Sequence, residues 1–306
     1  MLLKDAVTAY QKNYSGKDPS TITRLNFWLE HLGNFEVKDI SALDIDDAIC
    51  ILIQQPAKSS IRKKVGVDEF GKNIYEIHSR NLDRPKANAT LNRYISSLGS
   101  VLRFIKTKRL IRGFISPIRG VEKFKESQGK VAFLTEAEIE ILIAASRECR
   151  WKKLPCLIKL AFITGVRKST LKAIRWQDID WKHQTITFPI TKNGEPHTAP
   201  LNDSCVDELK RIYSELSKAE DLVFCGKFSN KAHDFTSSYI TLIERHFPDR
   251  GITFHSLRHS CCSHLAKNGA PLPVMASWMA HKSLRMVSRY AHIVTTDREH
   301  YLRSCF

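Results

Sequence analysis

Between Ser20 and Ile105 apolar residues mostly return every three or four positions, the spacing of helices that bury one face. Pro19-Ser20-Thr21 opens a stretch in which Ile22, Leu25, Phe27, Trp28, Leu29 and Leu32 recur, and Gly33 ends it. Ser41 caps a second helix carrying Leu43, Ile45, Ala48, Ile49, Leu52 and Ile53. It stops before Pro56, because the residue ahead of a proline is pushed out of helical backbone. Asn88-Ala89-Thr90 begins a third, with Leu91, Tyr94, Ile95, Leu98, Val101, Leu102 and Ile105 on its apolar side. The insertion at residues 57–84 breaks the pattern, and two readings stay open for it: a hairpin or a mobile basic loop.

A second domain opens near Phe133-Leu134-Thr135-Glu136-Ala137-Glu138, where Thr135 and Glu138 have the spacing of a capping box. An amphipathic helix follows, then another across Leu154 to Thr164. After Asp180 the period changes from helical to alternating: in Thr185-Ile186-Thr187-Phe188-Pro189-Ile190 every second residue is apolar. Asn193-Gly194 separates this run from Pro196-His197-Thr198-Ala199-Pro200-Leu201, which signals a hairpin because both turn positions favour positive φ. Its prolines imply a short sheet with open edges. From Ser204 onward the pattern reads as helical again, including Leu284 to His292. The fold class is therefore mainly α with a small antiparallel β-sheet: a helical domain at 1–112, a linker at 113–130, and an α+β domain at 131–306 with a tail at 291–306.

Charge adds a partner to this picture. The chain has 306 residues, with 48 Lys and Arg against 32 Asp and Glu, a formal charge of +16. Such a surplus draws polyanions, nucleic acid foremost and anionic membrane second. It is also uneven, since Lys86 to Lys130 holds eleven Lys or Arg and only two acids, Glu122 and Glu126. A basic helix that runs into a basic linker suits a protein that lays two domains around a duplex. Arg93, Arg103, Lys106, Lys108 and Arg109 on that helix, with Arg285 and Arg289 near the C-terminus, are the expected DNA contacts. No apolar run approaches the ~20 residues of a membrane span, and no secretory signal opens the chain. Eight cysteines without a C-x-x-C read as reduced buried thiols, which points to the cytoplasm.

The candidate chemistry is that of an anion. In His255-Ser256-Leu257-Arg258-His259, positions i, i+3 and i+4 share a helical face. Zinc is a poor match, because Ser256 stands where the zincin pattern needs Glu and Arg258 repels a cation. A guanidinium between imidazoles suits phosphate, which it grips with two parallel hydrogen bonds. Arg167 follows a Thr164-Gly165 turn, Lys192 sits in the hairpin, His281 lies at a break between helices, and Tyr290 follows nine residues later.

In order, Thr164-Gly165-Val166-Arg167-Lys168-Ser169-Thr170-Leu171, Thr191-Lys192-Asn193-Gly194, His255-Ser256-Leu257-Arg258-His259, Ala280-His281-Lys282-Ser283 and Tyr290-Ala291-His292 resemble the signature boxes of tyrosine recombinases of the phage-integrase type. The resemblance covers about residues 133–306, and the basic N-terminal half looks like the family's core-binding domain. Two positions depart from the pattern. Thr170 stands where an acidic residue is common, and Ala280 replaces the glycine before the histidine.

The resemblance implies that Arg167 and Arg258 hold the non-bridging phosphate oxygens. Tyr290 is then the nucleophile, His255 accepts its proton, His281 hydrogen-bonds the phosphate, and Lys192 protonates the departing 5′ oxygen. A 3′-phosphotyrosyl link conserves bond energy, so no ATP, metal or other cofactor is expected. The implied partners are double-stranded DNA with specific sites, a homotetramer joined through the tail at 294–306, and directionality or bending factors. Integration or excision of a phage or mobile element is the leading role. Alternatives are an Xer-like dimer resolvase, a non-catalytic DNA-binding regulator and a type IB topoisomerase.

Overall fold

A computed structural model describes residues 1–16, 18–67, 73–126, 132–189, 194–226 and 229–291. The chain divides into two compact units, Met1–Gly129 and Lys130–Phe306.

The first unit contains α1 (Leu3–Lys12), α2 (Ser20–Leu32), α3 (Ala42–Gln54), the strands β1 (Pro56–Val67) and β2 (Asn73–Pro85), and α4 (Asn88–Thr107). The sequence pattern gave no hint of α1, although Leu3, Ala6 and Val7 are all buried. Ser41 caps α3 as expected: its hydroxyl accepts from the Asp44 N–H while the Asp44 carboxylate accepts from the Ser41 N–H. In α4 the buried positions Leu91, Ile95, Leu98, Val101, Leu102 and Ile105 form one stripe, which packs with Leu25, Trp28, Ile45, Ile49 and Leu52. Trp28 keeps its indole N–H satisfied by donating to the Tyr94 carbonyl at 3.0 Å.

The insertion at 57–84 is a hairpin, since β1 and β2 pair antiparallel from Pro56↔Pro85 to Val67↔Asn73. Lys86 anchors its base by donating to the carbonyls of Gln55 (3.0 Å) and Pro56 (3.1 Å). The segment read as a linker is not free of the first unit. Val121 is buried in that unit's core, and Phe114, Ile118 and Phe124 pack against it. Asn92 holds the stretch in register, because its side-chain amide both donates to the Phe124 carbonyl and accepts from the Phe124 N–H, each at 2.9 Å.

The second unit contains α5 (Glu136–Ser146), α6 (Leu154–Thr164), α7 (Lys168–Lys172), β3 (Ile179–Asp180), β4 (Thr185–Phe188), β5 (His197–Pro200), α8 (Asp203–Ile212), β6 (Cys225–Gly226), β7 (Ser229–Ala232), α9 (Thr236–His246), α10 (Phe254–Lys267) and α11 (Leu272–Trp278). Thr135 and Glu138 make the expected capping box. One sheet has the order β3-β4-β5, antiparallel throughout. Among the described residues its β4–β5 ladder runs from Thr185↔Pro200 to Phe188↔His197, and Asn193 of the expected turn lies outside the described residues. The next facing pair would be Pro189 and Pro196, neither of which has an N–H to donate.

Two expectations for this half need correction. The stretch after Ser204 is not all helix, because β6 and β7 form a small hairpin. Leu284 to Ala291 is not one α-helix but two 3-10 turns, Leu284–Met286 and Ser288–Tyr290. The core of this unit is carried by α6, whose Leu154, Leu157, Ile158, Leu160, Ala161 and Phe162 are all buried. With apolar residues on every side, α6 is the central helix around which the others stack.

Candidate active site

The site forms where the C-terminal end of α6, the middle of α10 and the break after α11 come together. Gly165 ends α6 in the left-handed conformation, φ +59°. A Cβ there would press on the flexible end of the Met279 side chain at 2.7 Å, but it is the left-handed backbone that calls for glycine. The chain leaves Gly165 extended, and Arg167 becomes the cap residue of α7. After α11 the Ala280 N–H bonds the Ser277 carbonyl and the His281 N–H bonds the Ala276 carbonyl, both at 2.9 Å. This is the bond pattern of a helix ended by a left-handed residue, a place glycine usually fills. Ala280 occupies it at φ +49°. The alanine that departs from the family spelling thus carries backbone strain of about 1–2 kcal/mol, and His281 follows directly.

Arg258 connects these parts. Its side chain is 6% exposed. One guanidinium nitrogen donates to the Gly165 carbonyl; the other donates to the Met279 carbonyl at 2.7 Å and to His281 Nε2 at 2.8 Å. A second tie is the Trp278 indole N–H, which donates to the Ile163 carbonyl at 2.8 Å. Burial, and then the nearby Arg167, brings the Arg258 pKa down to about 10, which still leaves it charged at neutral pH. Because Arg258 donates to His281 Nε2, that nitrogen is the lone-pair one. The same burial, with Arg258 next, depresses the His281 pKa to about 4, in keeping with a neutral ring.

Around this frame lies a cavity of about 490 Å³, lined by Arg167, His255, Arg258, His259, Cys262, Met279, His281, Met286, Arg289 and Tyr290. Among the described residues three guanidiniums and no carboxylate line it, which suits it to an anion. Tyr290 is 5% exposed. Its hydroxyl hydrogen-bonds to His259 Nδ1. Burial pushes the phenol pKa up to about 12, partly offset by Arg289 and Arg258.

Five of the six expected catalytic residues therefore converge: Arg167, His255, Arg258, His281 and Tyr290. The sixth, Lys192, lies outside the described residues, as does the tail from residue 292 onward. Of the expected DNA contacts, Arg289 lines the active-site cavity, while Arg285 is exposed beyond it. In the first unit, Arg103 and Lys106 line a second cavity of about 510 Å³ together with Arg119 and Lys123. Arg93, Lys108 and Arg109 are exposed but do not line that cavity. Sequence reasoning placed His259 on the face of His255 and Arg258 without giving it a role, and counted Arg119 and Lys123 only within the basic segment. The signal for His259 was present, since i+4 from His255 is the same helical face.

Comparison with known proteins agrees with the geometry. Residues 132–296 match the model of the phage integrase family, more than half of the chain. The integrase of Haemophilus phage HP1 is 25% identical over 300 residues, 97% of this chain and 84% of that protein. The XerC tyrosine recombinase of Pediococcus pentosaceus is 26% identical over 253 residues, 78% of this chain and 82% of that protein. Among solved structures, the Tn1549 transposon integrase in complex with transposon right end DNA superposes with a TM-score of 0.72 at 16% identity over 100% of both chains. A lambda integrase dimer bound to a COC' core site gives 0.64 at 17% identity over 97% of this chain and 79% of that one. This chain belongs to the phage integrase family and is a tyrosine recombinase.

Proposed function

We propose that the chain cleaves and rejoins double-stranded DNA at specific sites through a 3′-phosphotyrosyl link to Tyr290. The observation that carries this reading is the cavity itself: three guanidiniums, two lining histidines besides His259, and the Tyr290 hydroxyl face one space, with no opposing acid among the described residues. A scissile phosphodiester fits that inventory. Arg167 and Arg258 hold its non-bridging oxygens and stabilise the extra charge of the transition state. Charge stabilisation of this kind, with positioning, supplies most of the rate in phosphoryl transfer. His281 hydrogen-bonds the phosphate once Arg258 turns toward it, His255 stands at the exposed rim, and Lys192 protonates the departing 5′ oxygen. A 5′ hydroxyl from a second strand then attacks the phosphotyrosine and releases Tyr290.

The exposed basic residues of α4 and the Arg103, Lys106, Arg119 and Lys123 cluster support a role for residues 1–112 as the core-binding domain, with Arg285 reaching a backbone phosphate. The HP1 relative spans 97% of this chain, which favours integration and excision of a phage or mobile element over dimer resolution. Assembly as a tetramer on two duplexes through residues 294–306, assistance by bending or directionality factors and action in the cytoplasm complete the reading. Among the described residues no helix is long and apolar enough to cross a membrane.

The test is a suicide substrate whose cleaved fragment diffuses away. The reading expects an SDS-stable protein–DNA adduct that is absent in Tyr290→Phe. Tight DNA binding with no adduct would leave the protein a binder rather than a recombinase.

A further inference from the structure

Tyr290 needs a proton acceptor, because a buried phenol is a poor nucleophile until its hydrogen leaves. The residue in hydrogen-bond contact with its oxygen is His259, through Nδ1. His255, to which the resemblance assigned this task, is more exposed and stands edge-on to His259, ring centroids 4.8 Å apart. Resting on the recombinase reading, we propose that His259 is the catalytic base: its Nδ1 takes the Tyr290 hydrogen as the tyrosine oxygen attacks phosphorus.

The groups around His259 keep its ring unprotonated before the reaction, and the proton moves to it only as the developing charge passes to phosphorus. His255 and Arg258 face it from α10, and Arg289 and Tyr290 from the last 3-10 turn. Burial, followed by His255 and the two arginines, depresses its pKa to about 4, so at neutral pH the ring carries no proton to spare and offers a lone pair. With Tyr290 as donor, that lone pair lies on Nδ1 and the ring hydrogen on Nε2. In the forward step the Tyr290 O–H bond breaks and its proton passes to Nδ1. The tyrosine oxygen bonds to phosphorus, the bond to the 5′ oxygen breaks, and Lys192 protonates that oxygen. In religation the incoming 5′ hydroxyl gives its proton back to the Lys192 amine as its oxygen bonds phosphorus, the tyrosine–phosphorus bond breaks, and the imidazolium of His259 returns its proton to Tyr290.

An alternative is that His259 merely tethers the hydroxyl. His259→Asn separates the two roles, because its amide oxygen can occupy the Nδ1 position and accept a hydrogen bond but cannot take the proton. Single-turnover cleavage of a suicide duplex is measured against pH for wild type, His259→Asn, and His259→Ala with and without added imidazole. A base is expected to show a loss of roughly 100-fold or more at neutral pH in both variants. It also predicts a rate in His259→Asn that climbs with pH where wild type is level, and partial recovery of His259→Ala by imidazole. Cleavage by His259→Asn within about threefold of wild type, on the same pH profile, overturns the proposal. Wild-type adduct formation in that case leaves the recombinase reading intact, whereas no wild-type adduct would overturn both. A measurement independent of any variant is the ¹⁵N spectrum of histidine-labelled wild type. The proposal requires an unprotonated Nδ1 at His259, and a hydrogen on Nδ1 contradicts it even if the variants fail to fold.

Discussion

Ala280 and the cavity histidines lend themselves to tests one side chain at a time. Ala280 holds φ +49° at the turn that delivers His281. Replacing it with glycine removes that strain but loosens the unfolded chain, so Ala280→Gly is expected to raise stability by a net of about 0.5–1 kcal/mol. Thermal melting measures this, and an unchanged or lower melting temperature would contradict it. The histidines set a pH dependence. His259 and His281 have pKa values near 4 when folded, both lowered chiefly by burial. In the unfolded chain each takes a proton near 6.5, so the unfolded state binds more protons between those values and stability rises with pH there. The melting temperature is therefore expected to be full above about pH 6.5 and to fall as the pH drops toward 4. His281→Asn should flatten part of that fall; an unaltered slope would mean that His281 is not held neutral. His259, Arg119 and Lys123 were the residues least legible beforehand, since a motif gives roles to its members but not which imidazole nitrogen meets which oxygen.

Among the elements, regular ones were readable and irregular ones were not. Caps at Ser41 and Thr135, the stripe on α4 and the alternation in β4 all had local causes that the structure retains. The helix α1 was missed because its buried face is only Leu3, Ala6 and Val7. Tyr290 was placed on an α-helix because its neighbours suit one, yet Val287 and Tyr290 are drawn into the core by two tighter 3-10 turns. Tertiary burial outweighs local preference over so short a stretch. The stretch from Val121 to Glu126 was read as linker from its composition, but Asn92 bonds both the N–H and the carbonyl of Phe124. Losing two such buried partners costs about 2 kcal/mol. Asn92→Ala is thus expected to speed hydrogen exchange at the Phe124 amide well beyond that of the α4 amides. Equal protection in variant and wild type would show that apolar packing alone holds the segment.

For the whole molecule, the formal charge is shared evenly, +8 on residues 1–129 (22 Lys and Arg against 14 Asp and Glu) and +8 on residues 130–306 (26 against 18), while the first unit carries the Arg103, Lys106, Arg119 and Lys123 cluster and the second the reaction site. Salt dependence tests the first. Each phosphate contact contributes nearly one to the slope of log affinity against log salt. Arg103→Ala with Arg119→Ala is expected to lower that slope by about 2 without changing which sequence is preferred. A slope equal to wild type would remove this cluster from the DNA contacts. The family was legible because its boxes are spelled in order, while the substrate sequence and the biological role depend on surfaces with no such spelling. The central claim is that Tyr290 itself becomes bonded to DNA. The most direct measurement is mass spectrometry of the peptide carrying the nucleotide after cleavage of a suicide substrate. A single modified peptide containing Tyr290 is expected, linked to a 3′ phosphate with a free 5′ hydroxyl on the other fragment. A nucleotide on any other residue, or a link to a 5′ phosphate, would contradict it.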